Sequence, residues 1–352
     1  MSEMPKISFV VVSRNDNHGG DMLKRMRIFT KGLIHQCNKF KFDAELLFVE
    51  WNPEKSKIGL KDIVPLPQDG DELSIRFIEV PNELHRQLNN SDKIDLFQMI
   101  GKNVGIRRAK GSFIICTNVD LLFSDALFKT LVNPLDPNSI YRANRCDIPQ
   151  EIDESKSIEE LLTFAENNIL QRLGKHKDYP EIGDTSSPLF HIPYYGFVKA
   201  FPLKIKRLNG NETFKEFLTR TDTDACGDFT MMHKEKWFDI KGYFELGAYS
   251  IHIDSIAVIS AMVNGLEQVI LPYRACTYHI SHGNGWELTD PIEKMHMDLN
   301  KPMLDWSSVH SLAKKMFEAK SLIHFNKSNW GFADESFKEY IFEPGKEVKT
   351  LN

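Results

Sequence analysis

Apolar runs alternate with amphipathic segments along the first third of the chain. Lys6–Ser13 (KISFVVVS) is too uniformly apolar for a half-exposed strand, which predicts a parallel strand covered on both faces. Ala44–Trp51 and Ile75–Val80 repeat this signal. Between the first two runs, apolar residues recur at helical spacing over Met22–Cys37. This alternation of strands and helices predicts an α/β sheet.

The next predicted strand is followed by an acidic residue. We predict a helix that runs to about Ala109, a stop at Gly111 and a strand over Phe113–Thr117, after which come Asn118 and Asp120. Open α/β sheets bind ligands beyond the carboxyl ends of their strands, and a carboxylate there can hold Mg²⁺ or Mn²⁺. Asn and Asp also end many strands in simple turns, so this short motif is equally compatible with a turn.

The pattern weakens in the second half of the chain, which is more polar. We interpret residues 147–222 as an acceptor-side insertion with a helix over Ile158–Leu173. A short strand is predicted around Phe229–Met232. A helix over Asp254–Asn264 is followed by two further short strands.

Length, charge and cysteine content narrow the class of protein. The 352 residues, 41% of them apolar, suffice for one domain over residues 1–290 and a helical extension over 291–352. A formal charge of −5 lacks the basic excess of a nucleic-acid-binding protein. No apolar stretch reaches the roughly 18 to 20 residues that span a bilayer, so any membrane contact would be peripheral. The five cysteines form no C-x-x-C pair and no signal peptide is visible, so we expect a cytoplasmic protein with reduced thiols.

Two further segments carry groups suited to catalysis. Asp254 falls at the predicted start of a helix, where a carboxylate either caps free backbone N–H groups or acts as a general base on an acceptor hydroxyl. Further along, His279 and His282 lie in a glycine-containing segment with Trp286. A histidine there could complete a metal site and the indole could stack on a sugar or base, while a purely structural role stays equally open.

Several common motifs are absent from the sequence. The only G-x-G, Gly283–Gly285, lies far from the first strand, so the dinucleotide-binding fingerprint is missing. No P-loop, G-x-S-x-G elbow or H-E-x-x-H helix occurs either. These absences argue against a dehydrogenase, an NTPase, an α/β-hydrolase and a metalloprotease.

Taken in order, the segments resemble the family 2-type glycosyltransferases of the GT-A fold. In that family a Rossmann-like mixed sheet flanked by helices binds a nucleotide-diphosphate sugar. The resemblance covers roughly residues 6–290. ISFVVVSRND is similar to the strand and loop that hold the nucleotide base, and LLFVEWN is similar to the second strand. The resemblance implies that Val11, Ser13, Arg14 and Glu50 line the nucleotide pocket.

Later segments extend the resemblance to the metal and the sugar. KNVGIRRAKG is similar to the family helix with an Arg-Asn pair, with Lys102 in place of the Arg and Asn103 retained. Of the family's Asp-x-Asp motif the chain keeps the second acid, which implies Asp120 as metal ligand and Asn118 as a donor-side contact. CGDFTMMHKEKWFDIKGYFE is similar to the acceptor-side segment, which implies that Asp228 lies near the sugar.

The family's catalytic base is the Asp of a Glu-Asp pair that opens a helix, with a Gly eleven positions later. Asp254 and Gly265 have this spacing, while Ile253 replaces the Glu. Some relatives also bind the metal through a histidine after a late strand, a role that the resemblance leaves open to His279 or His282.

The resemblance implies an inverting, Mn²⁺- or Mg²⁺-dependent hexosyltransferase of the kind used in polysaccharide biosynthesis. Its donor would be UDP- or GDP-linked, and its acceptor a glycan, a glycolipid or a small molecule. Two alternatives stay open. The missing first acid of the metal motif is compatible with a non-catalytic module that binds a glycan or nucleotide. A sugar-nucleotide pyrophosphorylase shares the sheet and the metal but would carry a glycine-rich basic loop where this chain has SRNDNHGGDMLKR.

Overall fold

The computed structural model describes residues 6–174, 210–282 and 302–352. Within these ranges the strands are β1 (Ile7–Ser13), β2 (Ala44–Trp51), β3 (Leu73–Val80), β4 (Phe113–Thr117), β5 (Leu121–Phe123), β6 (Ser139–Arg142), β7 (Asn144–Ile148), β8 (Gln171–Leu173), β9 (Phe229–His233), β10 (Glu267–Ile270), β11 (Cys276–Ile280), β12 (Lys338–Phe342) and β13 (Lys349–Leu351). The helices are α1 (Met22–Phe40), α2 (Asn82–His85), α3 (Gln98–Arg108), α4 (Asp125–Leu131), α5 (Ile158–Asn167), α6 (Phe214–Arg220), α7 (Lys234–Asp239), α8 (Ile253–Val263) and α9 (Trp306–Ala319), with a 3₁₀ turn at Leu60–Asp62.

A large mixed sheet forms the centre of the molecule. Its strand order is β10-β6-β9-β4-β1-β2-β3-β12-β13, in which β4, β1, β2 and β3 are mutually parallel and β9 runs antiparallel to both β4 and β6. The predicted strands over β1, β2 and β4 are confirmed, and β1 and β4 are buried at every position. The carboxyl ends of the parallel strands lie along the same side of the sheet, where Ser13 pairs with Glu50. The predicted α/β class, a mixed sheet flanked by helices, is confirmed.

Helices cover both faces of this sheet. Alternate residues of β1 point to opposite sides, so Phe9 packs with Phe29 of α1 while Val12 packs with the residues of α3. Helix α3 approaches closely because Gly101 faces the sheet, and a Cβ at this position would lie only 2.6 Å from Val12 Cγ1. The helical part of KNVGIRRAKG is thereby held tightly against β1.

A second, smaller sheet stands beside the first, in the order β5-β11-β7-β8. Strand β11 runs parallel to β7 and antiparallel to β5. The backbone N–H of Ile280, at the end of β11, donates to the carbonyl oxygen of Asp120 at 2.9 Å. The link between β4 and β5 is therefore held against the end of β11, which brings Asp120 beside the late histidines.

The predicted helix over Ile158–Leu173 is correct at its start and wrong at its end. Ser157 begins it with a capping box to Glu160, and the helix ends at Asn167. Residues Gln171–Leu173 instead pair antiparallel with β7 as an edge strand. The three residues Gln171–Leu173 are too few for their pattern to distinguish a helix from a strand. Their pairing with β7 makes them a strand.

The C-terminal extension is only partly helical, contrary to the prediction. Helix α9 buries Val309, Ala313 and Met316 in the same apolar cluster as α8. Beyond it, β12 pairs antiparallel with β3, and β13 pairs with β12 at the edge of the sheet. The short, half-buried run Lys338–Phe342 becomes a strand because β3 offers an unpaired edge, a partner that the local pattern does not reveal.

Some predictions lie outside the described residues. Trp286 is one, as is the part of the 147–222 insertion that covers 175–209. In the described ranges all five cysteines are buried and free of disulfides. No helix in those ranges has the length and apolar character needed to cross a membrane.

Candidate metal and donor site

Asp120, His279 and His282 form a compact group at the ends of β4 and β11. One ligand atom from each residue lies within 4.8 Å of the others. His282 Nε2 is 3.1 Å from Asp120 Oδ2, and His279 Nε2 is 3.7 Å from the same oxygen. Metal bonds to imidazole nitrogen and carboxylate oxygen are about 2.0–2.2 Å, so a single divalent ion could bind all three residues.

Burial and charge make this group strongly coupled. Burial disfavours the charged form of Asp120, but the attraction of the neighbouring His279 and His282 outweighs it and holds the pKa of Asp120 well below its usual range. Burial likewise opposes protonation of His279, yet its hydrogen bonds to Asp120 and Asp147 raise its pKa to about 9. Without a metal ion, Asp120 is therefore ionised and His279 carries an additional proton, which a bound metal ion would displace.

Asp147 supports His279 from the side opposite Asp120. His279 Nδ1 lies 3.0 Å from Asp147 Oδ1, and both residues are buried. A carboxylate can only accept, so Nδ1 donates and Nε2 is directed towards Asp120. Asp147 is itself fixed by Arg145 Nε at 2.5 Å and by the amide of Gln171. A carboxylate behind a histidine ligand is the usual second layer of a metal site.

A second, partly buried network adjoins the metal group. Asn118 Nδ2 donates to Asp228 Oδ1 at 2.6 Å, and Asn118 Oδ1 accepts from Lys102 Nζ at 3.0 Å and from Gln98 Nε2 at 2.7 Å. Arg145 Nη1 donates to Asp228 Oδ2 at 3.1 Å and so joins the two networks. An Asn at position 118 suits this geometry because it can donate to one carboxylate while accepting from a buried lysine. The sequence predicted Lys102, Asn118 and Asp228 as site residues, and the fold brings them together.

Asp254 lies next to this network, on the first turn of α8. It is not the N-cap, which is His252 at φ 65°; Asp254 Oδ1 accepts from the backbone N–H of Ser255 at 2.8 Å. A Cβ at Gly227 would be 3.0 Å from Asp254 Oδ2, and Gly227 directly precedes Asp228. The carbonyl of Gly227 also accepts from Lys102 Nζ at 2.8 Å. The predicted base is thus adjacent to the predicted sugar-side residue.

Three residues predicted to line the nucleotide pocket, Ser13, Arg14 and Glu50, lie at or just beyond the ends of β1 and β2. Ser13 is buried and, within the described ranges, its Oγ has no hydrogen-bond partner. Glu50 Oε1 accepts from the backbone N–H of Leu60 at 3.0 Å, and burial raises the pKa of Glu50 to about 7. Arg14 is held by Glu54 and Asp95, each at 3.1 Å.

Two predicted donor-side residues point their side chains into the fold. Val11 is fully buried in the apolar cluster between the sheet and α1. Asn103 is also fully buried, and its amide donates to Tyr243 O at 2.8 Å and to Glu245 Oε1 at 3.0 Å. Asn103 therefore ties α3 to the KGYFE turn, a role that explains the residue without a ligand.

Sequence reasoning missed Arg25, Arg145 and Asp147. Arg145 and Asp147 are two positions apart in NRCDI and therefore share one face of β7, but nothing in that short run names β11 as the neighbour. Arg25 lies in a helix that was predicted from its apolar residues, and such a pattern does not indicate which partner a polar side chain has. The contacts of Arg25 with Asp120 and of Asp147 with His279 join segments more than 90 residues apart in the chain.

Solved structures of glycosyltransferases resemble this chain in fold. The crystal structure of GalNAc-T7 with UDP, GalNAc and Mn²⁺ matches with a TM-score of 0.40 and 13% identity, over 82% of this chain and 45% of that one. The structure of S. aureus TarS 1–349 matches with a TM-score of 0.40 and 11% identity, over 92% of this chain and 73% of that one. This chain thus spans less than half the length of the GalNAc-T7 chain. Similarity at this level carries no conclusion about ligand or activity.

Sequence comparisons add no relative. No protein-family model matches the chain. No curated protein sequence matches it either.

Proposed function

We propose that this protein is a divalent-metal-dependent glycosyltransferase that uses a nucleotide-diphosphate sugar. The observation that carries the proposal is the Asp120, His279 and His282 group, supported by Asp147 and located at the ends of the sheet strands. Ligands of open α/β sheets bind at this edge. The adjoining carboxylates of Asp228 and Asp254 supply polar groups for a sugar and its acceptor.

The residues of the group fit a metal ion. Asp120 Oδ1 is buried and has no hydrogen-bond partner among the described residues, which a cation would remedy. Two imidazoles and one carboxylate suit a transition metal better than Mg²⁺, which prefers oxygen ligands. We therefore favour Mn²⁺ over Mg²⁺. When bound, such an ion offsets the negative charge that develops on the leaving diphosphate.

The proposal assigns a role to each of the neighbouring residues. Asp254 takes the proton of the acceptor hydroxyl. The hydroxyl oxygen attacks the anomeric carbon of the donor sugar, and the bond between that carbon and the diphosphate breaks. Attack from the face opposite the leaving group inverts the configuration. Asp228, fixed by Asn118 and Arg145, positions the sugar, and Ser13 and Glu50 contact the nucleotide. We infer a UDP- or GDP-linked donor and a glycan, glycolipid or small-molecule acceptor.

A thermal-shift panel tests this proposal. UDP, GDP, CDP and dTDP are each added with and without Mn²⁺. At about one hundred times its dissociation constant a ligand stabilises the folded state by about 2.7 kcal/mol, which is readily measured. We expect at least one nucleotide to raise the melting temperature only when Mn²⁺ is present, and Asp120→Asn to remove this increase. If none of the four stabilises the wild-type protein, the proposal is wrong.

Donor hydrolysis separates the proposal from its two alternatives. With Mn²⁺ and the sugar donor of the stabilising nucleotide, a glycosyltransferase should release nucleoside diphosphate slowly and faster with acceptor. A non-catalytic module would bind the donor and release nothing. A pyrophosphorylase would require sugar phosphate and a nucleoside triphosphate, and would produce pyrophosphate.

A further inference from the structure

Arg25 is a buried cation beside the candidate metal group. It lies on α1 and is only 2% exposed. Its Nη1 is 3.7 Å from Asp120 Oδ2, the oxygen that also faces both histidines. Its Nη2 donates to the carbonyl oxygens of Gly20 at 3.0 Å and of His18. One end of the guanidinium thus holds a loop, while the other faces the metal group.

The end that faces the metal group is not satisfied within the protein. Among the described residues, Nε and Nη1 of Arg25 have no hydrogen-bond partner, and neither has Oδ1 of Asp120. Buried polar atoms without partners are uncommon in folded proteins and call for an explanation. Here the unpartnered donors and the unpartnered acceptor belong to side chains that approach within 3.7 Å. A phosphate oxygen would satisfy the donors of Arg25 and a cation would satisfy the acceptor of Asp120, so a metal ion with a bound phosphate would satisfy both.

The loop held by Arg25 has an unusual backbone. Asn17, Gly19, Gly20 and Asp21 all have positive φ, between 48° and 74°. Non-glycine residues rarely adopt this region, so external contacts must hold the loop in place. The two hydrogen bonds from Arg25 Nη2 are such contacts. Loop and guanidinium are consequently fixed relative to each other before any ligand binds.

The charges point to the same ligand. A divalent ion, the Arg25 guanidinium and the Asp120 carboxylate sum to a net charge of +2 when both histidines are neutral ligands. A bridging diphosphate carries two negative charges and balances this sum. Arginine is also well suited to phosphate because its planar fork can donate two parallel hydrogen bonds.

We propose that Arg25, beside the candidate metal group, binds the diphosphate of the donor and so selects diphosphate-linked donors over monophosphates. This inference rests on the proposed function. Nη1 is shielded from water, so a phosphate oxygen reaches it only after a local movement, in which the His18 loop (residues 15–21) shifts together with the guanidinium that holds it. Binding of metal and diphosphate together, rather than of metal alone, therefore changes this loop.

Binding measurements on three variants test the assignment. Titration calorimetry measures Mn²⁺ alone, and then inorganic pyrophosphate and inorganic phosphate in the presence of Mn²⁺. Arg25→Gln should bind Mn²⁺ alone at least as tightly as wild type, because a nearby positive charge is gone. It should bind pyrophosphate about ten- to a hundredfold more weakly, the loss expected for one charged hydrogen-bonding group. Arg25→Lys should also lose affinity, since one ammonium cannot hold the His18 loop and the phosphate together.

Arg27→Gln is the matched control on the same helix. Arg27 makes a bidentate pair with Glu154, at 2.7 and 2.8 Å, away from the metal group. The substitution Arg27→Gln removes the same charge as Arg25→Gln and should leave the affinity for pyrophosphate unchanged. Wild-type preference for pyrophosphate over phosphate should also fall in Arg25→Gln and persist in Arg27→Gln.

The outcomes distinguish the inference from the proposed function. If the wild type binds pyrophosphate and Arg25→Gln binds it with the same affinity, the role of Arg25 is wrong but the proposed function still stands. Equal losses for Mn²⁺ alone and for pyrophosphate also overturn the role of Arg25, because they indicate a structural role. If the wild type binds Mn²⁺ but neither pyrophosphate nor any nucleoside diphosphate, both proposals fail.

A wild-type measurement covers the case in which the variants do not fold. Hydrogen exchange of the His18 loop is followed with Mn²⁺ alone and with Mn²⁺ plus pyrophosphate. We expect a changed exchange rate only with both ligands. The same rate under both conditions contradicts the proposal.

Discussion

The Nδ1 atom of His279 lies 3.0 Å from the buried Oδ1 of Asp147, while the Nε2 atom of the same ring faces Asp120. Asp147 therefore fixes both the tautomer and the orientation of the imidazole. For this reason we expect Asp147→Asn to weaken metal binding without removing a ligand. The expected loss of Mn²⁺ affinity is about ten- to a hundredfold, as is usual for such supporting carboxylates.

Titration calorimetry with Mn²⁺ measures this loss. Asp153→Asn removes an acid of the same type from an exposed turn a few residues later and should leave Mn²⁺ affinity unchanged. His282→Ala, which removes a proposed ligand, should have a larger effect than Asp147→Asn. Wild-type affinity in Asp147→Asn would show that His279 needs no support or is not a ligand.

Asp254→Asn tests the proposed base. Asn retains the oxygen that accepts from the Ser255 N–H at 2.8 Å, so the start of α8 should stay intact. It cannot take a proton, so we expect transfer to acceptor to fall by a factor of about 10² to 10⁴. Stabilisation by Mn²⁺ and nucleotide should be unchanged. Near-normal transfer by Asp254→Asn would exclude Asp254 as the base.

Asn118→Asp restores the first acid of the Asp-x-Asp motif, and we expect it to damage the protein. Asn118 Nδ2 donates to Asp228 Oδ1 at 2.6 Å, so an aspartate would place two carboxylate oxygens in contact. Lys102 Nζ, 3.0 Å from Asn118 Oδ1, would offset part of this repulsion. The expected cost is about 1–3 kcal/mol in the free energy of unfolding.

Urea denaturation at pH 8 and pH 5 measures this cost. Two carboxylates in contact can share a proton, so the deficit of Asn118→Asp should be smaller at the lower pH. Asn138→Asp, at an exposed position before β6, is the control and should change stability little at either pH. A variant as stable as wild type at pH 8 would mean that the network is less tightly packed than the 2.6 Å contact implies.

The sequence predicted best where periodicity and burial agree. β1, β2 and β4 are continuous apolar runs, and the sheet buries β1 and β4 completely, so strand and face are both specified locally. Asp120 follows from its position after β4. The strand β12 could not be predicted with the same means, because its structure depends on the free edge of β3.

Site residues divide along the same line. The position of Asp120 beyond the carboxyl end of β4 could be predicted from the strand pattern, whereas Glu50 was implied only by the family resemblance; their roles as ligand contacts stay predictions. Asp147 and Arg25 could not be predicted, since each is defined by a partner more than 90 residues away. Asn103 shows the converse error: a family motif suggested a ligand contact, and the fold uses the side chain to hold the turn at Tyr243.

Glu50 gives a prediction that depends on pH alone. It is 2% exposed, and burial raises its pKa from 4.5 to about 7. Between pH 4.5 and pH 7, Glu50 is therefore protonated in the folded protein and ionised in the unfolded chain. Since the folded-state pKa is the higher one, the wild type loses stability as the pH rises from about 4.5 through 7, by up to about 3 kcal/mol.

Glu50→Gln should remove this loss. Gln keeps an oxygen for the Leu60 N–H and carries no charge, so the variant should match wild type near pH 4.5 and be more stable at pH 8. Urea denaturation across this range measures the difference, and Glu83→Gln, at an exposed position on α2, should show none. A stability difference between Glu50→Gln and wild type that stays constant from pH 4.5 to 8 would mean that Glu50 ionises in the folded protein as it does in water. The buried end of β2 would then be open to solvent, and Glu50 would meet a nucleotide as a carboxylate rather than as a neutral acid that can donate a hydrogen bond.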